Sequence, residues 1–199
     1  GGAISMESRL EESGFDTKTG LASREKRLIA AEAVKLISSG DSIFLDGGST
    51  VMELASLLAD RSDLTVVTNS LRAATELSNS RLRIILTGGE LRLLSQTMVG
   101  PLTRAVLDKV RVDKAFMGTM GFSFEDGLTT TDPNEAFTKA LVQEQAGQVV
   151  LLADSSKEGK VSFARVGAAD TVDVLITDKK FPAKHARALR KRGVKVRLV

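Results

Sequence analysis

The chain has 199 residues, 42% of them hydrophobic, and a formal net charge of +3, which predicts one domain, or one with a small lobe, around a sizeable core. It contains no Cys and one His, which excludes disulfides, thiolate metal sites and a histidine metal cluster. With eight Phe, no Trp and no Tyr, a base-stacking surface is also disfavoured. No apolar run is long enough to cross a bilayer, so we expect a cytoplasmic protein without a membrane partner.

Strands and helices are predicted to alternate almost throughout. A short extended start at residues 3–5 precedes a polar stretch and a helix at 24–37, which Gly40 closes. Strands are predicted at 42–45, 64–68, 83–86, 114–117, 149–153, 172–176 and 194–198. Further helices are predicted near 51–59, 71–77, 101–109, 134–145 and 183–192. This alternation predicts an α/β fold of the Rossmann-like kind, with a mostly parallel sheet flanked by helices. Residues 91–101 and 122–133 are expected to be the longest irregular connections.

The segment 43–50, I-F-L-D-G-G-S-T, is an apolar strand followed at once by a helical pattern. Gly47 and Gly48 permit close approach of the backbone to a ligand, and Ser49 and Thr50 are candidates for capping the helix. The unpaired N–H groups and the positive end of the helix dipole favour a phosphate at this point. The alternative is an ordinary strand–helix turn.

A second phosphate-compatible group follows another apolar strand at 148–153, which ends in D-S-S-K. Lys157 would act there as a point-charge donor, and the alternative is a solvated loop. Ligands of open α/β sheets lie beyond the carboxyl ends of the strands. The two segments are therefore predicted to meet at the same edge of one sheet.

Small polar residues and glycines recur at the other strand ends, a pattern that suits a polyhydroxylated anionic ligand. Glu135 and Lys139 lie four residues apart and share a helical face, either toward a ligand or as a surface ion pair. The candidates for the sugar end of a ligand are Asp46, Thr68, Asn69, Ser70, Gly88, Gly89, Glu90, Gly118, Thr119, Gly121, Asp132, Glu135 and Lys139.

The C-terminal segment carries nine cations and no acid after Asp178. Such a tail could contact nucleic acid, or it could be a solvated helix whose last turn complements its dipole. We favour the solvated helix because no groove-reading motif accompanies it. His185 is expected to be an exposed surface residue of this helix.

These motifs, taken in order, resemble the effector-sensing domain of DeoR-family transcriptional regulators. They are E-K-x-x-I-A at 25–30, L-D-G-G-S-T at 45–50, T-N-S at 68–70, T-G-G-E-L-R at 87–92, V-G-P at 99–101, D-K-A-F-M-G at 113–118, G-L-T-T at 127–130 and L-A-D-S-S-K at 152–157. The resemblance implies a cytoplasmic bacterial regulator of sugar catabolism. Its sensor would bind a phosphorylated sugar or related metabolite, need no cofactor, and form a dimer or tetramer.

The family's winged helix-turn-helix has no counterpart in this chain, which starts with Gly1 rather than Met and looks like an excised piece. We expect residues 1–22 to be an extended linker from that absent DNA-binding domain, and residues 23–199 to be the sensor domain. Contact with DNA would then run only through the absent domain.

The sensor domain in turn resembles type A ribose-5-phosphate isomerase, whose phosphate-holding roles carry over to Gly48, Ser49, Thr50 and Lys157. The isomerase's acidic motif after the central strand is matched here by residues 116–121, F-M-G-T-M-G, without a carboxylate. Proton transfer between sugar carbons needs a positioned base, and Glu135 alone remains. A sensor that is not an enzyme is therefore predicted. The alternatives are a diverged sugar-phosphate isomerase and a nucleic-acid-binding module that uses the basic tail.

Overall fold

Twelve strands and six α-helices alternate along residues 22–199, the part of the chain that the computed structural model describes. The strands are β1 Ser42–Leu45, β2 Thr65–Thr68, β3 Arg83–Leu86, β4 Glu90–Arg92, β5 Thr97–Val99, β6 Val112–Met117, β7 Gly121–Ser123, β8 Gly127–Thr130, β9 Ala146–Leu152, β10 Ala164–Gly167, β11 Val174–Thr177 and β12 Lys195–Leu198. The helices are α1 Ser23–Val34, α2 Ser49–Leu58, α3 Leu71–Leu77, α4 Arg104–Leu107, α5 Pro133–Gln145 and α6 Ala183–Lys191.

Seven of the strands form one parallel sheet in the order β12-β11-β9-β6-β1-β2-β3. From β1 the chain extends the sheet in one direction through β2 and β3, and then returns to β6 on the other side of β1. The direction of winding therefore reverses between β1 and β6, and in open α/β sheets such a reversal opens a crevice at the carboxyl ends of the strands. The predicted α/β fold class is confirmed.

The central strands are buried on both faces, which explains why they read as continuous apolar runs. In β9, Val150 and Leu152 belong to a core that also contains residues of α1, α2 and α3. Val149 and Leu151, on the opposite face, pack in a second core with residues of α5, α6 and the small strands. Successive side chains of one strand therefore pack in the cores on opposite faces of the sheet, and the molecule has three layers.

The two connections that were expected to be irregular contain strands, so that prediction was wrong. β4 and β5 pair as an antiparallel hairpin, and β7, β8 and β10 form a separate three-stranded sheet. The predicted helix at 101–109 is a 3₁₀ turn, Pro101–Thr103, followed by the single turn of α4. The predicted extended start at residues 3–5 lies outside the described residues. Among residues 22–199, no helix has the length and apolar character needed to cross a membrane.

Candidate functional site

A cleft opens at the carboxyl edge of the sheet, at the reversal between β1 and β6. Its wall begins with the loop after β1, where Gly48 is the N-cap of α2 at φ 132°. Ser49 and Thr50 were expected to cap this helix, but they are its first two residues. The cap has no side chain because the backbone turns through a positive φ that suits glycine. The first backbone bond of the helix runs from the Met52 N–H to the Gly48 carbonyl, 2.9 Å away. The preceding N–H groups of the turn therefore remain available to a ligand.

Close backbone approach explains the glycines of the cleft. A Cβ on Gly47 would lie 2.2 Å from Cγ2 of Thr97 in β5, and one on Gly118 would lie 3.2 Å from the Gly47 carbonyl oxygen. The loop after β1 therefore touches both the β4–β5 hairpin and the loop after β6. Three segments that are distant in sequence are packed into one rim.

Lys157 lines the cleft from the loop after β9, in addition to the loops after β1 and β6. Its loop is a 3₁₀ turn whose first N–H groups are held by two buried aspartates. The Asp154 carboxylate accepts a hydrogen bond from the Ser156 N–H at 3.0 Å, and the Asp178 carboxylate accepts from the Ser155 N–H at 2.6 Å. The lysine is thereby presented on a braced turn, in agreement with its predicted position at the same sheet edge.

Asp178 holds this loop in place. It follows β11, outside every motif that the sequence analysis used, so it was not predicted. Burial raises the pKa of the Asp178 carboxyl, but hydrogen bonds from the backbone N–H groups of Ser155 and Lys180 outweigh burial and hold that pKa below 3.8. The carboxylate is therefore the form that the fold stabilises.

The floor of the cleft is a buried ion pair. The Lys139 ammonium on α5 contacts the Asp46 carboxylate at the end of β1, and it lies 3.1 Å from the Gly118 carbonyl oxygen and 3.5 Å from Glu135. Burial lowers the pKa of the Lys139 ammonium, yet Asp46 and Glu135 together raise that pKa above 10.5. Glu135 and Lys139 are 8% and 3% exposed, so they form a buried pair at the cleft rather than a surface pair.

Arg92 of the β4–β5 hairpin reaches the start of α5. Its guanidinium lies 3.5 Å from Asp132 and 3.8 Å from Glu135. The Asp132 carboxylate also caps α5, because it accepts a hydrogen bond from the Glu135 N–H at 2.9 Å. Asp132 therefore lies one contact behind the cleft wall, where it helps to hold Glu135.

Nine of the predicted site residues line the cleft together: Gly47, Gly48, Ser49, Thr50, Gly118, Thr119, Glu135, Lys139 and Lys157. The cleft also takes residues that the predicted site did not include, among them Lys26, Ser95, Leu94, Met120 and Asp154. Lys26 is only 4% exposed on α1. Its spacing of three, four and seven residues from Ile29, Ala30 and Ala33 puts it on the helix face that packs inward, a signal that could have identified it.

Other predicted site residues lie beside the cleft, and their contact with a ligand stays a prediction. The Thr68 hydroxyl donates to the Leu45 carbonyl at 2.6 Å, and the Asn69 amide donates to the Met98 carbonyl at 3.3 Å. Ser70 caps α3. The rest lie in the turn into β4 or in small strands: Gly88, Gly89, Glu90 and Gly121. Within residues 22–199 no group of three His, Asp or Glu residues is placed to hold a metal ion.

The chain is similar to known transcriptional regulators along its whole length. A family model described as the DeoR C terminal sensor domain matches residues 21–179. The HTH-type transcriptional regulator YulB of Bacillus subtilis is 37% identical over the full chain and 77% of its own length. The HTH-type transcriptional regulator GlpR of Haloferax volcanii is 36% identical over 98% of this chain and 77% of its own length. The glycerol-3-phosphate regulon repressor of Escherichia coli is 31% identical over the full chain and 79% of its own length.

Solved structures share the fold. Ribose 5-phosphate isomerase A from Methanocaldococcus jannaschii has a TM-score of 0.50 and 23% identity, covering 67% of this chain and 53% of its own. The eIF2B delta subunit from Chaetomium thermophilum has a TM-score of 0.52 and 14% identity, covering 72% of this chain and 52% of its own. The chain thus spans about half the length of each of these structures.

The relatives are regulators rather than enzymes, and the match covers the sheet, the cleft and the Lys157 loop. The chain belongs to the DeoR C-terminal sensor domain family and acts as the effector-binding part of a DeoR-type transcriptional regulator, not as an enzyme.

Proposed function

We propose that the cleft binds a phosphorylated sugar or a closely related phosphorylated metabolite. The observation that carries this proposal is the convergence of the α2 N-terminus and Lys157 on one cleft at the sheet reversal. N–H groups at a helix start and a lysine ammonium are the donors that phosphate oxygens accept. Binding there would place the phosphate between the loops after β1 and β9.

The sugar end would lie toward Thr119, Glu135 and the Lys139–Asp46 pair, which line or support the deeper wall. A buried carboxylate accepts hydrogen bonds from hydroxyl groups, and a wrong sugar that leaves it unpaired loses affinity. Phosphate contacts thus supply affinity, while this wall would select among sugars. The name of the Escherichia coli relative, a glycerol-3-phosphate regulon repressor, supports a small phosphorylated polyol or sugar as the class of effector.

In the whole regulator the ligand would shift the balance between two conformations of an N-terminal DNA-binding domain. Residues 1–22 would be the linker to that domain, and residues 23–199 would be the sensor. Only a difference in affinity between two conformations can produce such a shift. The regulator would act in the cytoplasm as a homo-oligomer, either a dimer or a tetramer. Its response to the effector would depend on the sensor domain in this chain.

The test is isothermal calorimetry with a panel of sugar phosphates, the matching free sugars and inorganic phosphate. Lys157→Ala should weaken a phosphorylated ligand by about 1.5–3 kcal/mol, the range for a hydrogen bond to a charged group. Lys160→Ala removes an exposed lysine three residues further on, outside the cleft lining, and is the matched control. Unchanged affinity in Lys157→Ala would place the phosphate elsewhere.

A second experiment tests whether Glu135 and Asp132 select among sugars. Glu135→Ala, and Asp132→Ala behind it, should change the ranking among sugar phosphates while inorganic phosphate binds nearly as before. The expected change is about 1–3 kcal/mol for sugars whose hydroxyls use the carboxylate. If both variants weaken every ligand equally, or none, these residues do not select the sugar.

A further inference from the structure

The C-terminal helix α6 has two sharply different faces. Ala186 and Leu189 face inward and are each 1% exposed. Lys184, Arg187 and Lys191 are exposed and follow one another at spacings of three and four residues, so they lie in one row along the outer face. We call these three residues the basic stripe.

No carboxylate in the described part of the chain forms an ion pair with the basic stripe. Three of the neighbouring cations are paired with acids: Lys180 lies 2.8 Å from Glu25, Arg197 2.8 Å from Glu32, and Arg192 3.9 Å from Asp170. The stripe residues make no ion pair with any residue from 22 to 199. His185, on the same helix, is half-exposed and turns aside to contact Glu158. Among residues 22–199 the stripe is therefore a row of positive charge without an ion-pair partner, on a molecule whose net charge is only +3.

The position of the stripe is informative. The Lys180–Glu25 contact joins the residues just before α6 to the first turn of α1. Ala22 and Pro182 also line one shared surface depression at this point. The helix that carries the stripe thus begins beside the place where the described chain enters from residues 1–21. On the proposed function, those residues lead to the DNA-binding domain.

We propose that the basic stripe contacts the phosphate backbone of DNA without reading its sequence, and so adds to the binding of the attached DNA-binding domain. This inference rests on the proposed regulator function. From residue 184 to 191 the helix rises roughly 10 Å, and duplex DNA carries one charge per roughly 1.7 Å of its axis, so several phosphates lie within reach.

The sequence alone favoured a solvated helix, since no groove-reading motif is present, and it placed contact with DNA only in the absent domain. A backbone contact needs no such motif, because phosphate contacts position a protein without specifying bases. An anionic membrane would attract the same charge. DNA fits better because α6 exposes no large apolar side chain that could insert into lipid.

The experiment measures fluorescence anisotropy of a labelled duplex of arbitrary sequence, titrated with the full 199-residue chain. Three phosphate contacts predict that binding weakens by about 40-fold between about 50 and about 200 mM salt. The variant Lys184→Ala, Arg187→Ala, Lys191→Ala should bind at least about tenfold more weakly at the lower salt and lose most of the salt dependence.

The control variant Arg81→Ala, Lys109→Ala, Arg165→Ala makes the same change in net charge at exposed positions elsewhere on the molecule, and its affinity should stay within about twofold of the parent. Equal losses in both variants would show that net charge, and not the stripe, attracts DNA, and would overturn the proposal. So would undetectable binding at low salt, or binding to phosphatidylserine vesicles but not to DNA. Thermal unfolding of each variant verifies that it is folded. Sugar-phosphate calorimetry on the parent chain tests the proposed function separately, so the two failures are distinguishable.

Discussion

Lys139 and Asp46 are the residues on which the cleft floor depends. Their charges are almost fully buried, and the Asp46 carboxylate also accepts a hydrogen bond from the Gly118 N–H at 3.0 Å. The pair therefore joins the ends of β1 and β6 to α5. A buried ion pair contributes little net stability by itself, but either partner left alone is costly, because a single charge then has no compensation.

Replacing Lys139 by Met should lower the free energy of unfolding by about 3–5 kcal/mol, because the Asp46 charge would remain buried without its partner. The double variant Lys139→Met, Asp46→Asn should recover about 2 kcal/mol or more of this loss. Urea unfolding measures both. Lys109→Met, at an exposed lysine, should stay within about 0.5 kcal/mol of the parent. No recovery in the double variant would mean that packing, not charge, holds the floor.

Asp178 predicts a pH dependence. Because its folded pKa lies below the usual 3.8, its contribution to stability is complete above that value and is lost as the pH falls through the folded pKa. Asp178→Asn should therefore cost about 1–3 kcal/mol at pH near 7, with a smaller gap to the parent at pH near 3. Urea titrations at the two pH values test this, with Asp60→Asn, at an exposed aspartate, as the control. If the difference in the free energy of unfolding between variant and parent is the same at both pH values, the charge of the Asp178 carboxylate does not cause the loss of stability.

At the scale of elements, the parallel strands were predictable and the small strands were not. β1 and β2 read directly as apolar runs because three of the four residues in each are buried, and β3 was found from its apolar residues although it is only partly buried at the sheet edge. β4, β5, β7 and β8 have only three or four residues each and none of them is a continuous apolar run, although β4–β5 and β7–β8 pair as hairpins between neighbours in sequence. The loop after β1 and Lys157 were placed correctly at the cleft because a motif and a strand end coincide at each. The brace at Asp178 depends on a contact 23 residues away and carries no local signal.

The hairpin β4–β5 packs against the loop after β1, where Thr97 lies close to Gly47. Gly47→Ala should cost about 1–3 kcal/mol, because its Cβ would meet Thr97 Cγ2. Thr97→Ser removes that methyl group, and the next nearest Thr97 atom lies at 3.6 Å. In a double-mutant cycle by chemical denaturation, the two changes should therefore couple favourably by about 0.5–3 kcal/mol. If the two changes in the free energy of unfolding are additive, the hairpin adjusts without strain and does not position the loop after β1.

At the scale of the molecule, the main sheet has two edges, β12 and β3. The β3 edge carries exposed leucines: Leu86 is 37% exposed, and Leu91 and Leu93 of the adjoining hairpin are 37% and 77% exposed. An edge strand with apolar neighbours is suited to pairing with another chain, and natural proteins protect such edges when no partner exists. This edge is where we place the proposed contact between copies of the chain.

Sedimentation velocity should show a dimer or larger species for the parent chain, and Leu86→Lys should shift it toward monomer, because a charge would be placed within the pairing edge. Leu57→Lys introduces the same charge at a leucine of α2 that is 52% exposed and should leave the species unchanged. A monomeric parent would contradict the oligomer itself. Equal dissociation by both variants would contradict its location.

The cleft draws its lining from residues as far apart as Lys26 and Lys157, and the Lys157 loop is held by Asp178. A ribosome adds residues in order, at about 5–20 per second. The cleft of a nascent chain is consequently incomplete until Asp178 has left the exit tunnel, although β1 and the loop that follows it are made earlier. A DNA-binding domain at the N-terminus of the same polypeptide would be finished well before that. Newly made copies would thus pass through a brief interval in which they can occupy DNA but cannot respond to metabolite.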